Sequence, residues 1–122
     1  MLIEFLKTDF EFKDDRGTLT QLVHNGWKQV NYITTRKGVL RGNHYHKNNE
    51  EAFYIISGAF DLELVDIKTG EKENHKIKAG DFFVIKRNLS HSFNFTEDTN
   101  LISMYSNGVE ENGSMDMYKF EK

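Results

Sequence analysis

The 122-residue sequence contains no cysteine, no proline and no long apolar run. Without cysteine there is no disulfide framework, no thiolate nucleophile and no thiolate metal ligand. The apolar segments fall well short of the roughly 18 residues of a membrane-spanning helix. The formal net charge is −3, from 16 basic and 19 acidic residues, so no excess of cations is available for nucleic acid. We therefore expect a cytoplasmic protein that binds neither nucleic acid nor a membrane.

The absence of proline bears on how the chain associates. Proline is one of the residues that natural proteins place on exposed sheet edges to prevent pairing with another chain. A β-rich chain without proline keeps its edge strands free to pair, so we expect a homodimer.

The pattern of apolar residues predicts strands rather than helices. No stretch sustains a 3.6-residue period over three turns, whereas short alternating or β-branched segments are separated by turn residues. A last strand is expected over 115–120, after a loop at 109–114, and we expect it to be able to cross to a partner chain. The other predicted strands include 31–35, 52–56, 62–65, 81–85, 93–95 and 100–105. Many short strands predict an all-β sandwich or jelly roll that forms a single domain over residues 1–122.

The histidine pair His44 and His46 is the clearest chemical signal. Side chains at i and i+2 of a strand point the same way, so both imidazoles would share one face. Glu51 and His91 would complete a shell of three nitrogens and one oxygen, with Glu50 as the rival carboxylate. Such a shell suits a divalent metal (Zn, Mn, Fe or Ni) and leaves room for water or substrate. The alternative is a polar pocket of hydrogen-bonded histidines without metal.

The spacing around the pair is specific. A glycine, two histidines, a glutamate and a second glycine occur at Gly38, His44, His46, Glu51 and Gly58. This spacing resembles the first motif of the cupin superfamily, and Gly80 with His91 matches part of the second. The resemblance implies an all-β cupin fold, which is a double-stranded β-helix built as a jelly-roll-like antiparallel barrel.

Two segments resemble the nucleotide-sugar branch of the cupins. Residues 14–17 look like the Asp-x-Arg-Gly opening of those proteins, and residues 29–46 are similar to dTDP-4-dehydrorhamnose 3,5-epimerases and dTDP-hexose 3,4-ketoisomerases. Residues 41–46 are closest to the cupin domain of capsular-polysaccharide epimerase–reductases. The resemblance implies an isomerase of a nucleotide-activated 4-keto-6-deoxy sugar in polysaccharide biosynthesis. The reaction would be C3 or C3/C5 epimerisation, or 3,4-keto migration, through an enolate or enediol and without an organic cofactor.

The same resemblance implies roles for individual residues. His44, Tyr32 and His46 are the expected catalytic residues, with His44 as base and Tyr32 as proton donor or relay. These roles conflict with a metal, because an imidazole that has committed its lone pair to a metal cannot also accept a proton. If His44 is a ligand, Tyr32, Glu51 or a metal-bound hydroxide must move the proton.

The nucleotide-sugar substrate needs cations for its diphosphate, and arginine can bind phosphate oxygens in bidentate fashion. By resemblance, Arg41, Arg16 and Asn31 are expected to bind the substrate. Two other functions fit the same residues: a metal-dependent cupin oxygenase, and a cupin that binds a sugar without catalysis.

Overall fold

The computed structural model describes residues 1–111 and 114–120, a part of the chain that contains fourteen β-strands and no helix. No helix long and apolar enough to cross a membrane is therefore found in these residues. The strands are β1 (Glu4–Phe5), β2 (Phe10–Asp14), β3 (Gly17–Gln21), β4 (Gln29–Thr35), β5 (Leu40–Tyr45), β6 (Glu51–Ser57), β7 (Ala59–Asp66), β8 (Lys72–Lys78), β9 (Phe82–Ile85), β10 (Leu89–Phe95), β11 (Thr99–Tyr105), β12 (Glu110–Glu111), β13 (Ser114–Met115) and β14 (Tyr118–Lys119).

Ten of the strands form two antiparallel sheets of five strands that face each other. The first sheet has the order β1-β9-β6-β11-β4, and the second has the order β14-β5-β10-β7-β8. Alternation along β7 and β10 buries Leu62, Leu64 and Phe93 on the inner face of the second sheet. Phe53 of the first sheet meets them, with its ring centroid 5.3 Å from that of Phe93. The structure thus confirms the all-β jelly-roll architecture expected from the strand pattern.

The outer face of the first sheet carries a second apolar cluster. Four of its residues are buried because Leu6, Val23 and Trp27 pack over them, namely Ala52, Phe82, Val84 and Met104. Both faces of β9 are buried as a result, which explains a strand that is apolar throughout rather than alternating. The cover does not extend to the edge strand β4, where Val30 and Tyr32 remain 63% and 65% exposed.

Strands β2 and β3 form a hairpin that pairs with no other described strand. Phe12 lies opposite Leu19, and Phe10 follows on the same face two residues away. All three side chains are at least half exposed. A two-stranded hairpin by itself is marginally stable in water, and no residue of the described part of the chain covers this apolar face.

The C-terminal segment differs from its prediction as one strand over 115–120. The chain forms two short strands instead, and β14 pairs with β5 of the same chain, so that Lys119 lies opposite His44. Strand β13 pairs with β12 within the segment predicted as a loop, whose residues 112 and 113 lie outside the described part. The break falls at Asp116, because its carboxylate accepts hydrogen bonds from the backbone N–H groups of Lys47 and Asn48.

Candidate active site

Strand β5 and the residue that follows it direct three side chains into one cavity, although regular alternation would separate them. Arg41, His44 and His46 all line this cavity. In a regular strand, residues an odd number apart point to opposite faces, so Arg41 should point away from both histidines. An extra residue, Asn43, lies between them and reverses the alternation.

The extra residue is part of a β-bulge against β10. His91 is paired with His44 and Ser92 with Gly42, which leaves Asn43 without a partner of its own in the register. Gly42 and Asn43 both have positive φ, 126° and 60°. A Cβ on Gly42 would lie 2.6 Å from the Ser92 Cα and closer still to the His91 carbonyl oxygen, so only glycine fits there.

Three predicted ligands meet at the closed end of the cavity. The Nε2 atom of His46 lies 3.2 Å from Oε1 of Glu51, and Nε2 of His91 lies 3.7 Å from the same oxygen. Ser103, on β11, donates its hydroxyl to the other carboxylate oxygen at 2.5 Å. All four side chains are buried. The structure therefore selects Glu51 over its neighbour Glu50, which is outside this cluster.

Backbone carbonyl groups orient both imidazoles. Nδ1 of His46 lies 2.6 Å from the carbonyl oxygen of Asp116, and Nδ1 of His91 lies 3.3 Å from that of Leu89. A carbonyl oxygen only accepts, so Nδ1 carries the proton in each ring. Both Nε2 atoms are thereby presented to Glu51, which is the arrangement common in metal-binding histidines.

The cluster has a defined charge pattern. Burial favours the neutral form of Glu51, but hydrogen bonds from His46 and Ser103 outweigh it and lower the pKa of the carboxyl. Burial also opposes protonation of His46, but its bonds to Glu51 and to the Asp116 carbonyl raise its pKa. Burial dominates at His91 and lowers its pKa to about 4. These shifts favour the charged forms of His46 and Glu51 as a pair, beside a His91 whose burial favours the neutral form.

The same three residues could hold a divalent metal. Their ligand atoms all lie within 4.8 Å of one another. Two imidazole nitrogens and one carboxylate oxygen suit Fe, Mn, Zn or Ni and leave coordination positions open. A metal would replace the proton shared between His46 and Glu51. The fourth expected ligand, His44, is outside this group.

His44 is free of the interactions that bind the other two histidines. Its ring centroid lies 5.6 Å from that of His91, and its buried Nδ1 has no hydrogen-bond partner among the described residues. Burial, and then the positive charge of His46, lower the pKa of His44, so the imidazole is neutral at pH 7. The three residues that could hold a metal lie together without His44, so a metal bound there would leave the lone pair of the His44 imidazole free.

The cavity has a volume of about 350 Å³ and an arginine at its rim. Apolar side chains, among them Ile33, Phe53 and Phe93, form much of its wall. Arg41 also lines an adjoining cleft of about 570 Å³, together with Arg36. Its Nε donates to the buried Thr35 hydroxyl at 3.0 Å, which holds the guanidinium between the two spaces.

Three of the residues expected to act in the site do not line the cavity. Tyr32 lies on the outer face of β4, since its neighbours Asn31 and Ile33 are the ones turned inward. Asn31 faces inward opposite Ser103, beside the cluster rather than in the cavity. Arg16 lies at the tip of the β2–β3 hairpin, where its guanidinium pairs with Asp14 at 2.6 Å.

Three other residues of the site were not expected from the sequence. Ser103 and Asp116 contact the cluster directly, and Tyr105 lines the cavity with its ring 5.2 Å from that of His46. Burial, together with the nearby Glu51 carboxylate, raises the pKa of Tyr105 far above its usual value, so the phenol stays protonated. Alternation along β11 would have placed Ser103 and Tyr105 on one face, but no local signal links Asp116 to a histidine 70 residues away.

Two facing antiparallel sheets with histidines and a glutamate between them define a cupin. The comparison with protein families assigns the chain to a narrower group than the cupins as a whole. The chain belongs to the family described as "Polysaccharide biosynthesis C-terminal domain", whose model matches residues 12–118.

Relatives of known structure cover nearly the whole chain. The TDP-quinovose 3,4-ketoisomerase WlaRB of Campylobacter jejuni is 26% identical, with a TM-score of 0.77 over 93% of this chain and 92% of that one. A 3,4-ketoisomerase of Helicobacter canadensis superposes with a TM-score of 0.80 over 98% of this chain and 91% of its own, and at 23% identity it shows the fold alone.

A curated relative matches a shorter segment. The UDP-2-acetamido-2,6-beta-L-arabino-hexul-4-ose reductase of Pseudomonas aeruginosa is 34% identical over 58 residues, which are 47% of this chain and 16% of the reductase. The chain spans less than half the length of the curated relatives it matches.

Proposed function

We propose that the protein is an isomerase of nucleotide-activated 4-keto-6-deoxy sugars in polysaccharide biosynthesis. The observation that carries this proposal is His44, a neutral imidazole that lines the cavity and makes no hydrogen bond to the described residues. The family assignment and the similarity to the C. jejuni ketoisomerase support the substrate class.

The reaction begins with removal of the proton at C3 of the sugar. The neighbouring C4 carbonyl acidifies this proton, since the negative charge moves onto the carbonyl oxygen as an enolate. His44 is the base, and its lowered pKa keeps it unprotonated and ready to accept. Protonated His46 places a positive charge beside the cavity, where it favours the oxyanion. A divalent metal on His46, Glu51 and His91 would supply a Lewis acid for the same task.

The second half of the reaction depends on where the proton returns. In 3,4-keto migration the C3 hydroxyl passes its proton to the C4 oxyanion, and the His44 imidazolium returns the abstracted proton to C4 on the same face. C3 thereby becomes the new carbonyl and C4 the new alcohol. In C3 epimerisation the proton must reach C3 from the opposite face, which needs a second donor there. Keto migration needs a single acid–base group on one face of the sugar, and His44, whose Nδ1 has no hydrogen-bond partner among the described residues, supplies one, so we propose keto migration as the reaction.

We assign the nucleotide diphosphate to the cleft that adjoins the cavity. Arg41 and Arg36 both line this cleft, and Arg41 also reaches the cavity where the sugar would lie. Two guanidinium groups can bind the four oxygens of a diphosphate that carry its charge. We retain Asn31 and Arg16 as expected substrate contacts, the latter by way of a second chain.

A homodimer would bring Arg16 to a second site. We propose that the exposed hairpin face of one chain, Phe10, Phe12 and Leu19, packs on the uncovered outer face of β4 of another, where Val30 and Tyr32 are exposed. Apolar surface would then be buried on both partners, and the hairpin would gain the support it lacks.

Sedimentation velocity tests the dimer. Leu19→Lys is expected to give a monomer, whereas Thr18→Lys, on the opposite face of the same strand, should leave the dimer intact. A wild-type protein that sediments as a monomer at micromolar concentration would rule the dimer out.

The isomerase proposal is tested by hydrogen exchange. The protein is incubated with dTDP-4-keto-6-deoxyglucose in deuterated water, and deuterium at C3, C4 and C5 is followed by NMR. Keto migration moves the carbonyl signal from C4 to C3, and epimerisation inverts C3 or C5. His44→Ala should abolish exchange, while His24→Ala, at an exposed histidine, should not. Absence of both exchange and carbonyl movement with dTDP and UDP 4-keto-6-deoxy sugars would contradict the proposal, and binding with neither would indicate a non-catalytic sugar-binding cupin.

A second function is favoured by one observation. Two histidine nitrogens and one carboxylate with open positions form the ligand set that non-haem iron oxygenases use. The discriminating measurement is oxygen consumption by the Fe(II)-loaded protein in the presence of the keto sugar. Consumption that His91→Ala removes would support an oxygenase.

A further inference from the structure

The outer face of the second sheet carries a hydrogen bond to which the proposed reaction assigns no role. The Ser92 hydroxyl donates to Oδ1 of Asn43 at 2.7 Å. Asn43 is the extra residue of the β5 bulge, and Ser92 is the residue of β10 at which the register shifts. The bond therefore joins the two strands of the bulge on the side opposite the cavity.

The backbone of Asn43 is held as well. Its φ of 60° lies in the left-handed region, which asparagine tolerates and β-branched residues avoid. Its carbonyl oxygen accepts a hydrogen bond from the N–H of Phe120 at 2.7 Å, so the C-terminal segment also restrains this position. The tolerance of asparagine for positive φ, its side-chain bond to Ser92 and its main-chain bond to Phe120 therefore all favour the bulged conformation.

We propose that Asn43 and Ser92 are positioning residues that keep Arg41 in the cavity by stabilising the bulge. Without the extra residue, alternation would turn Arg41 to the outer face while His44 and His46 stayed inside. The inference rests on the proposed function only for what Arg41 binds, which is the anionic diphosphate of the substrate. The inward position of Arg41 itself is independent of any reaction.

The position of Arg41 can be measured without substrate. Its Nε–H donates to the buried Thr35 hydroxyl, so its ¹⁵N-edited NMR signal should exchange slowly with solvent. Ser92→Ala and Asn43→Gly each remove the side-chain bond and should accelerate this exchange at least about fivefold. Asn43→Val also disfavours the positive φ and should have the largest effect. Asn94→Ala is the matched control, since Asn94 is exposed on the same face of β10 two residues away.

Affinity for dTDP, measured by calorimetry, provides the second readout. We expect Ser92→Ala to weaken binding about fivefold and Asn43→Val at least about tenfold, with Asn94→Ala unchanged. Thermal unfolding of every variant shows whether a loss of affinity is a loss of fold, and Ser92→Ala decides the test if Asn43→Val does not fold.

The two proposals fail separately. If Arg41 Nε–H exchange in Ser92→Ala and Asn43→Gly equals that in Asn94→Ala, the positioning role is refuted whatever the protein binds. If exchange accelerates as expected but the wild-type protein has no affinity for dTDP or UDP, the positioning role is supported and the nucleotide-sugar function is contradicted.

Discussion

Glu51→Gln removes one negative charge from the buried cluster while keeping the shape of the side chain. In the wild-type protein, Glu51 accepts from His46 at 3.2 Å and from Ser103 at 2.5 Å, and all three side chains are buried. The variant leaves His46 without its ionic partner. We therefore expect His46 to lose its raised pKa and to become neutral well below pH 7.

The size of the effect follows from the burial of the pair. Breaking a buried ion pair by removing one partner typically costs about 3–5 kcal/mol. Glutamine can still hydrogen bond to Ser103, so we expect the lower end, about 3 kcal/mol of unfolding free energy. For a chain of this length that corresponds to a fall in Tm of roughly 12 °C.

The effect has a distinct dependence on pH. The lowered pKa of Glu51 contributes stability that is present above its unfolded value of 4.5 and is lost as the pH falls through the folded value. The raised pKa of His46 contributes stability that is full below 6.5 and is lost as the pH rises through the folded value. The difference between wild type and variant should therefore be widest between about pH 4.5 and 6.5 and should narrow as the pH rises above that window.

Urea unfolding of the chelator-treated proteins at several pH values measures this difference. Treatment with chelator excludes a metal contribution, which would otherwise add to the stability of the wild type. Glu50→Gln, at the neighbouring carboxylate outside the cluster, is the control and should change stability by less than about 0.5 kcal/mol. The ion pair would be refuted by equal stabilities of wild type and Glu51→Gln throughout, or by a difference that widens toward pH 8.5.

Two further predictions concern positions outside the ligand cluster. Burial of Glu73 is outweighed by hydrogen bonds from the N–H groups of Leu2 and Ile3 and from His75, which lower its pKa to about 2. Glu73→Gln should therefore lower the free energy of unfolding by about 2 kcal/mol at pH 7. In urea titrations this difference from the wild type should decline as the pH falls from 4.5 toward 2, and a difference independent of pH would contradict the prediction. Gly42→Ala should lower the Tm and abolish dTDP binding, because the added Cβ meets the backbone of His91 and Ser92. The control is Gly70→Ala. Gly70 also has a positive φ, but its added Cβ would meet no atom within 4 Å, so this variant isolates the effect of backbone conformation.

Much of the fold could be predicted because its determinants are local. Alternation in segments such as 62–65 and 93–95, with turn residues between them, is sufficient to indicate strands, and the structure has strands at each predicted segment. The prediction of a single C-terminal strand over 115–120 was wrong, because Asp116 accepts hydrogen bonds from Lys47 and Asn48 and interrupts the strand. These bonds join residues nearly 70 positions apart, and no period in the sequence reports them.

In the candidate site, too, the features set by local sequence could be predicted and those set by long-range contacts could not. The spacing of His44, His46, Glu51 and His91 was enough to predict that they meet in one cavity, because the first two lie two residues apart at the end of β5 and the motif spacing constrains the others. Which of them share a metal or a proton depends on distances across three strands, and these separate His44 from the other three. Packing between the sheets therefore decides which of these residues lie close enough to share a metal or a proton.

Residue types and spacing were sufficient to indicate the β-architecture and the histidine cluster, and the resemblance of two segments to nucleotide-sugar cupins implied the chemistry of a keto sugar. Tertiary structure decided which way the side chains point. Regular alternation would place Arg41 and His44 on opposite faces, and only the bulge against Ser92 unites them. Such a bulge is stabilised by a strand nearly 50 residues away, so its effect on orientation cannot be read from the local pattern.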